Sequence, residues 1–234
     1  MQYRTLDPAY IIDTAERLQE RVAARFPQAG LCRVSAELVS LSRDLARSAR
    51  LLERPIWWLR ATTAAAVIAG ATLFIFVGTI LPFDRFVEGG AAQSVQGIEA
   101  SLNTLLLAGL GLLGLVRAEQ GIKRKRVFRD LHGLRSLIHV IDMHQLTKDP
   151  NALSAGYRPT AKSPQRITDR FELAAYLDYC SEMLSITGKV AALFAQSVND
   201  EVVIESVNDI EALGSNLSRK IWQKITMIEG AAKT

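Results

Sequence analysis

Charge is missing from one long stretch of this 234-residue chain. Residues 61–81, ATTAAAVIAGATLFIFVGTIL, contain no Asp, Glu, Lys, Arg or His. At a helical rise of ~1.5 Å per residue such a stretch reaches ~30 Å, the thickness of a bilayer core. A helix that is apolar on every face is not a surface helix; it is buried or it spans a membrane. Trp57 and Trp58 stand just before it, where interfacial indoles belong. Cysteine is scarce: Cys32 and Cys180 are far apart and make neither a CxxC pair nor a metal-ligand spacing, so both are expected reduced. Apolar and polar residues do not alternate over any useful length, which excludes a sheet and leaves an all-α fold. GxSxG, P-loop and HExxH motifs are missing, as is a paired His/Cys constellation. No catalytic residue, cofactor or small-molecule substrate is therefore inferred, and the expected role is non-enzymatic. The opening MQYRTLDPAY has no apolar leader core, so no cleaved signal peptide is expected.

The formal net charge of +4 hides an uneven distribution. Residues 43–60 hold five arginines and residues 117–135 hold seven Lys/Arg, whereas residues 165–234 hold seven basic and ten acidic side chains. Basic charge thus flanks the apolar stretches, a membrane-surface pattern that argues against a nucleic-acid partner. A second uncharged stretch, residues 100–116 (ASLNTLLLAGLGLLGLV), is the other candidate span, and the uncharged 89–98 allow it to begin earlier. The connection over 82–99 carries Asp84, Glu88 and Glu99 against a single Arg85. The Lys/Arg bias then places both ends of the chain in the cytoplasm of a bacterial inner membrane, with a short outside loop.

Around these spans the pattern is that of long amphipathic helices. Asp7-Pro8 reads as an N-cap and first helical position, followed by a stripe of Ile11, Ala15, Leu18, Val22 and Phe26, with Pro27 and Gly30 ending the helix. Leu31, Val34, Leu38, Leu41, Leu45 and Leu52 form a narrow heptad seam interrupted at Ser48. Pro55 separates this helix from the first span. After the second span a seam of Val127, Leu131, Leu134, Ile138 and Ile141 continues until Lys148-Asp149-Pro150. Residues 149–165 contain three prolines and no periodicity, so they read as an exposed linker. Thr168 or Ser163 is the expected cap of a helix with Leu173, Leu177, Cys180, Leu184, Thr187, Ala191 and Phe194 inward. A turn at 197–200 precedes a last helix with Val203, Val207, Ile210, Leu217, Ile221 and Ile228.

The expected organisation is therefore a two-span transmembrane hairpin with a cytosolic helical bundle. Its parts are an N-terminal cytosolic helical pair (1–55), a first span (56–81), an external loop (82–99) and a second span (100–116). A cytosolic extension of that span (117–148), the linker (149–165) and a C-terminal hairpin (166–234) complete it.

Several side chains could carry function within this frame. Ala61, Ala65 and Ala69, like Ala66 and Gly70, repeat every four residues, a spacing that lets helices approach closely in lipid. Gly109, Gly111 and Gly114 match GxGxxG. They lie inside an apolar helix without a preceding strand, so Gly111 and Gly114 are assigned to helix packing rather than to a nucleotide. Glu99 and Asn103 are the polar residues at the start of the second span; each serves either interhelical bonding or a water-lined path. Lys123, Arg124, Lys125 and Arg126 sit where anionic lipid headgroups would lie, either as a topology anchor or as a lipid contact. His132, His139 and Asp142 share the region that holds all three histidines and are weak candidates for a metal or pH-responsive site. Tyr176, Tyr179, Phe194 and Trp222 are expected as core or interface anchors.

A helix from Leu31 to Leu52, spans at 61–81 and 100–116, and a helix from Val127 to Ile141 together resemble the SLATT type of bacterial two-span membrane protein in layout. That resemblance implies oligomeric assembly and a gated, membrane-perturbing or pore-forming role coupled to nucleotide signalling. The narrow seams and small-residue faces point instead to an assembly or scaffold protein that oligomerises or docks onto a protein partner, with membrane lipid as its other contact.

Overall fold

The computed structural model describes residues 5–80, 91–154, 156–164 and 166–230. They are helical almost throughout, and no strand occurs among them. The helices are α1 (Pro8–Arg25), α2 (Gly30–Glu53), α3 (Trp57–Ile80), α4 (Ala91–Leu146), α5 (Arg170–Ser197) and α6 (Glu201–Gly230), with a 3-10 turn at Pro150–Leu153. Two compact units result: Met1–Glu53 with Arg126–Thr234, and Arg54–Lys125. Helix α4 contributes to both.

The first unit is a helical bundle. Local signals set its element ends. The Asp7 carboxylate accepts from the Ala9 N–H at 2.9 Å, and Pro8 supplies the first helical residue of α1. Ile11, Ala15, Leu18 and Val22 are buried as their spacing requires. Helix α1 ends at Arg25, before Pro27, but Gly30 is not a terminator: it is the first residue of α2. Glycine suits that place because a Cβ there would lie 2.4 Å from His144 Cε1.

Helix α2 differs from the narrow seam expected of it. Ser35, Val39, Ser42, Ala46 and Ala49 are buried alongside Leu31, Val34, Leu38, Leu45 and Leu52, while Leu41 is half-buried. The small residues widen the contact face because α2 packs on α1 and α5 and also faces α4, where a Cβ added at Gly133 would lie 3.8 Å from Leu41 Cδ1. A two-stranded heptad has one neighbour; this helix has three. Ser48, which breaks the heptad, donates to the Asp130 carboxylate of α4 at 2.5 Å.

Helix α5 is the centre of the unit. Besides the expected seam, Tyr176, Tyr179, Ser181, Met183, Ile186, Val190 and Leu193 are buried, so three faces are covered. It pairs with α6 along its length and packs on α1 and α2. Its cap is Asp169, which accepts from the Glu172 N–H at 2.9 Å, rather than Thr168 or Ser163. Asp169 immediately precedes Arg170, so its side chain reaches the free N–H groups of the first turn. Gly214 of α6 faces α5 closely: a Cβ there would sit in contact with the Leu184 carbonyl at 3.5 Å, leaving no room for a larger side chain. The remaining seams, Val127 to Ile141 in α4 and Val203 to Ile228 in α6, are buried.

Two further expectations need correction. The linker is not wholly exposed: Asp149 caps the 3-10 turn, Leu153 packs on the core, and the turn touches α6. The stretch expected as external loop is helical from Ala91 onward, because no proline or charge run interrupts 91–99. The part of that connection over 81–90 lies outside the described residues.

The second unit contains α3 and the first part of α4; among its described residues Leu59 is buried and Leu115 half-buried, but most large apolar side chains face outward. Ile68, Ile75, Phe76, Leu102, Leu105, Leu107 and Leu110 are each more than half exposed. Among the described residues, one helix is long and apolar enough to cross a membrane, from Leu102 onward in α4.

Candidate functional site

In the second unit Glu119 is the hub of a polar lock. Glu119 accepts from the Ile56 N–H at 3.3 Å and from the Arg60 guanidinium at 3.3 Å, and pairs with Lys123 at 3.3 Å. Burial raises the Glu119 carboxyl, but the Ile56 N–H, Arg60 and Lys123 outweigh it and hold it below the ordinary carboxylate range. The lock therefore joins the start of α3, just past Pro55, to α4 three residues beyond Val116. Beside it, Leu59, Thr63, Val67, Ile68 and Leu115 line an open, mainly apolar groove of about 530 Å³. Trp57 and Trp58 are 76% and 62% exposed at the head of α3. Thr63 and Thr72 satisfy their hydroxyls on carbonyls four residues back, so no polar side-chain group of either is left free in the apolar face.

The small residues singled out by spacing, Ala66, Gly70, Gly111 and Gly114, are exposed. A Cβ added at any of the three glycines would have no described neighbour within 4 Å. Glu99 and Asn103 are exposed on α4. Of the basic run, Lys123 is engaged by Glu119, Arg124 is half-buried with a partner of its own, and Lys125 and Arg126 are exposed. His132 and His139 face outward, and the Asp142 carboxylate is taken by the Gln145 amide at 2.6 Å. Among the described residues no group of three His, Cys, Asp or Glu side chains is placed to hold a metal ion. Tyr176, Tyr179 and Phe194 are core residues, but Trp222 is 53% exposed and anchors no core.

A second polar constellation closes the end of α4, and the sequence reading missed it. The last carbonyls of a helix lack intrahelical donors. Here Lys224 of α6 donates to the Gln145 carbonyl at 3.0 Å and to its side-chain oxygen at 2.6 Å, and Arg166 donates to the Thr147 carbonyl at 3.2 Å. The Lys148 ammonium lies 4.8 Å from the Tyr176 ring centroid. Burial lowers the pKa of both lysines, and for Lys148 the nearby Arg166 lowers it further. Burial also pushes the Cys180 thiol up to about 12, which makes it an unreactive core residue. Cations at a helix C-terminus are favourable to its dipole, so this arrangement fastens α4 to α6 and to residue 166. The available signal was Gln145 falling on the seam four residues after Ile141, with Lys224 between Ile221 and Ile225.

Chemically, these two constellations hold helices together; neither places a nucleophile beside a base. Among the described residues, the large apolar side chains of the second unit are mostly exposed. Neither a protein-family model, nor a curated protein, nor a solved structure matches the chain.

Proposed function

We propose that this protein is a non-enzymatic, two-span inner-membrane protein with both ends in the cytoplasm, which assembles through its membrane helices or docks onto a protein partner. The supporting observation is the contrast in burial. Ile68, Ile75, Phe76, Leu102, Leu105, Leu106, Leu107, Leu110 and Leu113 of α3 and α4 are each more than half exposed, while the bundle buries its own seams. Leaving such side chains in water forgoes about 1 kcal/mol or more each, on the order of 10 kcal/mol together. That matches the whole net stability of a typical domain, ~5–15 kcal/mol. A hydrocarbon environment removes that cost. The uncharged stretches at 61–81 and 100–116, with basic flanks and an acidic connection, support a reading of two crossings with both ends inside.

Alkaline extraction of membranes tests insertion: the protein should stay with the lipid until detergent is added. A reporter active only outside the cytoplasm should be active when fused at Gly90 and silent at Thr234. Activity at Thr234 would overturn the orientation. The gated pore implied by the SLATT-like layout is the alternative, favoured by the exposed Glu99 and Asn103 on α4. Ion flux through liposomes, altered by Asn103→Leu while the assembled mass persists, would replace the scaffold by the pore.

A further inference from the structure

The geometry points to a binding site for the phosphate of an anionic phospholipid headgroup, built from Arg47, Arg126 and Arg129. The proposal rests on the membrane reading above. All three arginines line an open groove of about 330 Å³ in the first unit, within the size range of small-ligand sites. Arg47 and Ser48 come from α2, Arg126 and Arg129 from α4. The Ser48–Asp130 hydrogen bond ties the two walls together.

The lining holds three guanidiniums and one carboxylate, Asp44, with Asp130 behind it engaged by Ser48 and Arg129, so the positive charge is in excess. Asp44 holds Arg47 only at 3.6 Å, in a pair whose side chains are 74% and 65% exposed. Such a pair contributes little and yields readily to a better acceptor. Arg129 touches Asp130 at 3.5 Å with most of its side chain exposed, and Arg126 has no acidic partner among the described residues. Guanidinium forks match phosphate oxygens two at a time, so this set suits a phosphate better than a lone carboxylate.

A free phosphate would satisfy the arginines but has no use for the rest of the lining. Leu51 is 54% exposed on the same groove. A phosphate esterified to a lipid brings apolar chain to such a wall. In sequence, both walls adjoin the apolar stretches: Leu51 precedes Trp57 by six residues and Arg126 follows Val116 by ten. A bound lipid would fasten α2 to α4 through both arginine walls, so lipid composition would regulate the bundle's stability.

The test uses the full chain purified in an uncharged detergent. Phosphatidylglycerol, phosphatidylcholine or inorganic phosphate is added, and binding is read by thermal unfolding and by native mass spectrometry. Phosphatidylglycerol should stabilise the protein and stay bound, and phosphatidylcholine should do neither. Each arginine near an anionic headgroup is worth about fivefold in affinity, so R126Q/R129Q should weaken phosphatidylglycerol binding about thirtyfold. R47Q alone should weaken it about fivefold, which keeps the test readable if the double variant misfolds. R158Q/K162Q, the same charge change at exposed positions of the linker, should stay within about twofold of wild type. Equal binding by wild type and R126Q/R129Q would overturn the site. Stabilisation by inorganic phosphate equal to that by the lipid, lost in R126Q/R129Q, would make it a phosphate site and overturn the lipid assignment. Release of the wild-type chain from membranes by alkali alone would refute the membrane reading instead, whatever the groove binds.

Discussion

Helix α4 contains two kinds of sequence. Over 127–145, Val127, Leu131, Leu134, Ile138 and Ile141 are buried, and the residues between them include Arg129, Asp130, His132, Arg135 and His139. Over 102–113, Leu102, Leu105, Leu106, Leu107, Leu110, Leu112 and Leu113 point in all directions and all are exposed. Periodicity is what two environments impose on one helix: an apolar side against neighbours and a polar side against water. A helix with no period meets a single environment on every side. The exposed leucines and the buried ones are chemically alike; the polar residues beside them record the difference.

The sharpest way to break this comparison is to place one charge on each half. Leu134→Asp puts a carboxylate at a fully buried position, and an unpaired buried charge costs several kcal/mol, enough to unfold the bundle. Leu107→Asp should leave the bundle's thermal transition in place while making insertion of the span less favourable by about 3 kcal/mol, seen as partial release by alkali. If both variants lowered the bundle's melting temperature alike, the two halves would share one environment.

Glycines sharpen it further. Gly214→Leu forces a side chain toward the Leu184 carbonyl and Ile138 and should cost the bundle roughly 3 kcal/mol or more. A Cβ at Gly70 would have no described atom within 4 Å, so Gly70→Leu should not change the fold. Any loss of assembled mass in detergent must then come from a neighbouring chain at the Ala66–Gly70 face. Unchanged mass would remove that face from the assembly.

Gly30→Ala has a smaller expected effect. Its Cβ would lie 2.4 Å from His144 Cε1, and moving the ring costs about 1–3 kcal/mol, with little helix propensity gained at the first residue of α2. A fall of a few degrees in melting temperature is expected, and removing the ring with His144→Ala should cancel most of it in the double variant.

The smallest effect is the pH response of His144. Burial, then the charges of Lys148 and Arg33, lower its pKa from 6.5. The unfolded chain therefore takes up the proton first, and stability present above pH 6.5 is lost as pH falls through the folded value. Melting curves between pH 7.5 and 5.5 should show a slope that His144→Gln reduces. An identical slope in both would assign the acid sensitivity to other groups.

Much of this was legible in the chain. Asp7-Pro8 and the break at Pro55 act within a few residues, so composition reveals them directly. The seams of α1, α4, α5 and α6 were legible because burial on one side leaves a period of three or four. The charge-free stretches at 61–81 and 100–116 likewise mark themselves without reference to any neighbour. What the periods could not give was the number of neighbours. Helix α2 was read as a narrow seam because serine and alanine look neutral in a pattern, yet Ser35, Ser42, Ala46 and Ala49 are buried by close helix approach.

The same limit applies to each polar contact between distant segments. Nothing in the chain joins Glu119 to Arg60, Lys224 to Gln145, or Arg47 to Arg126 and Arg129. The sequence by itself determined most of the helices and which stretches lack charge, because both follow from local bonding and from the transfer energy of single side chains. Tertiary structure alone decided which charges meet, because a pairing across tens of residues depends on the packing of the helices that carry it.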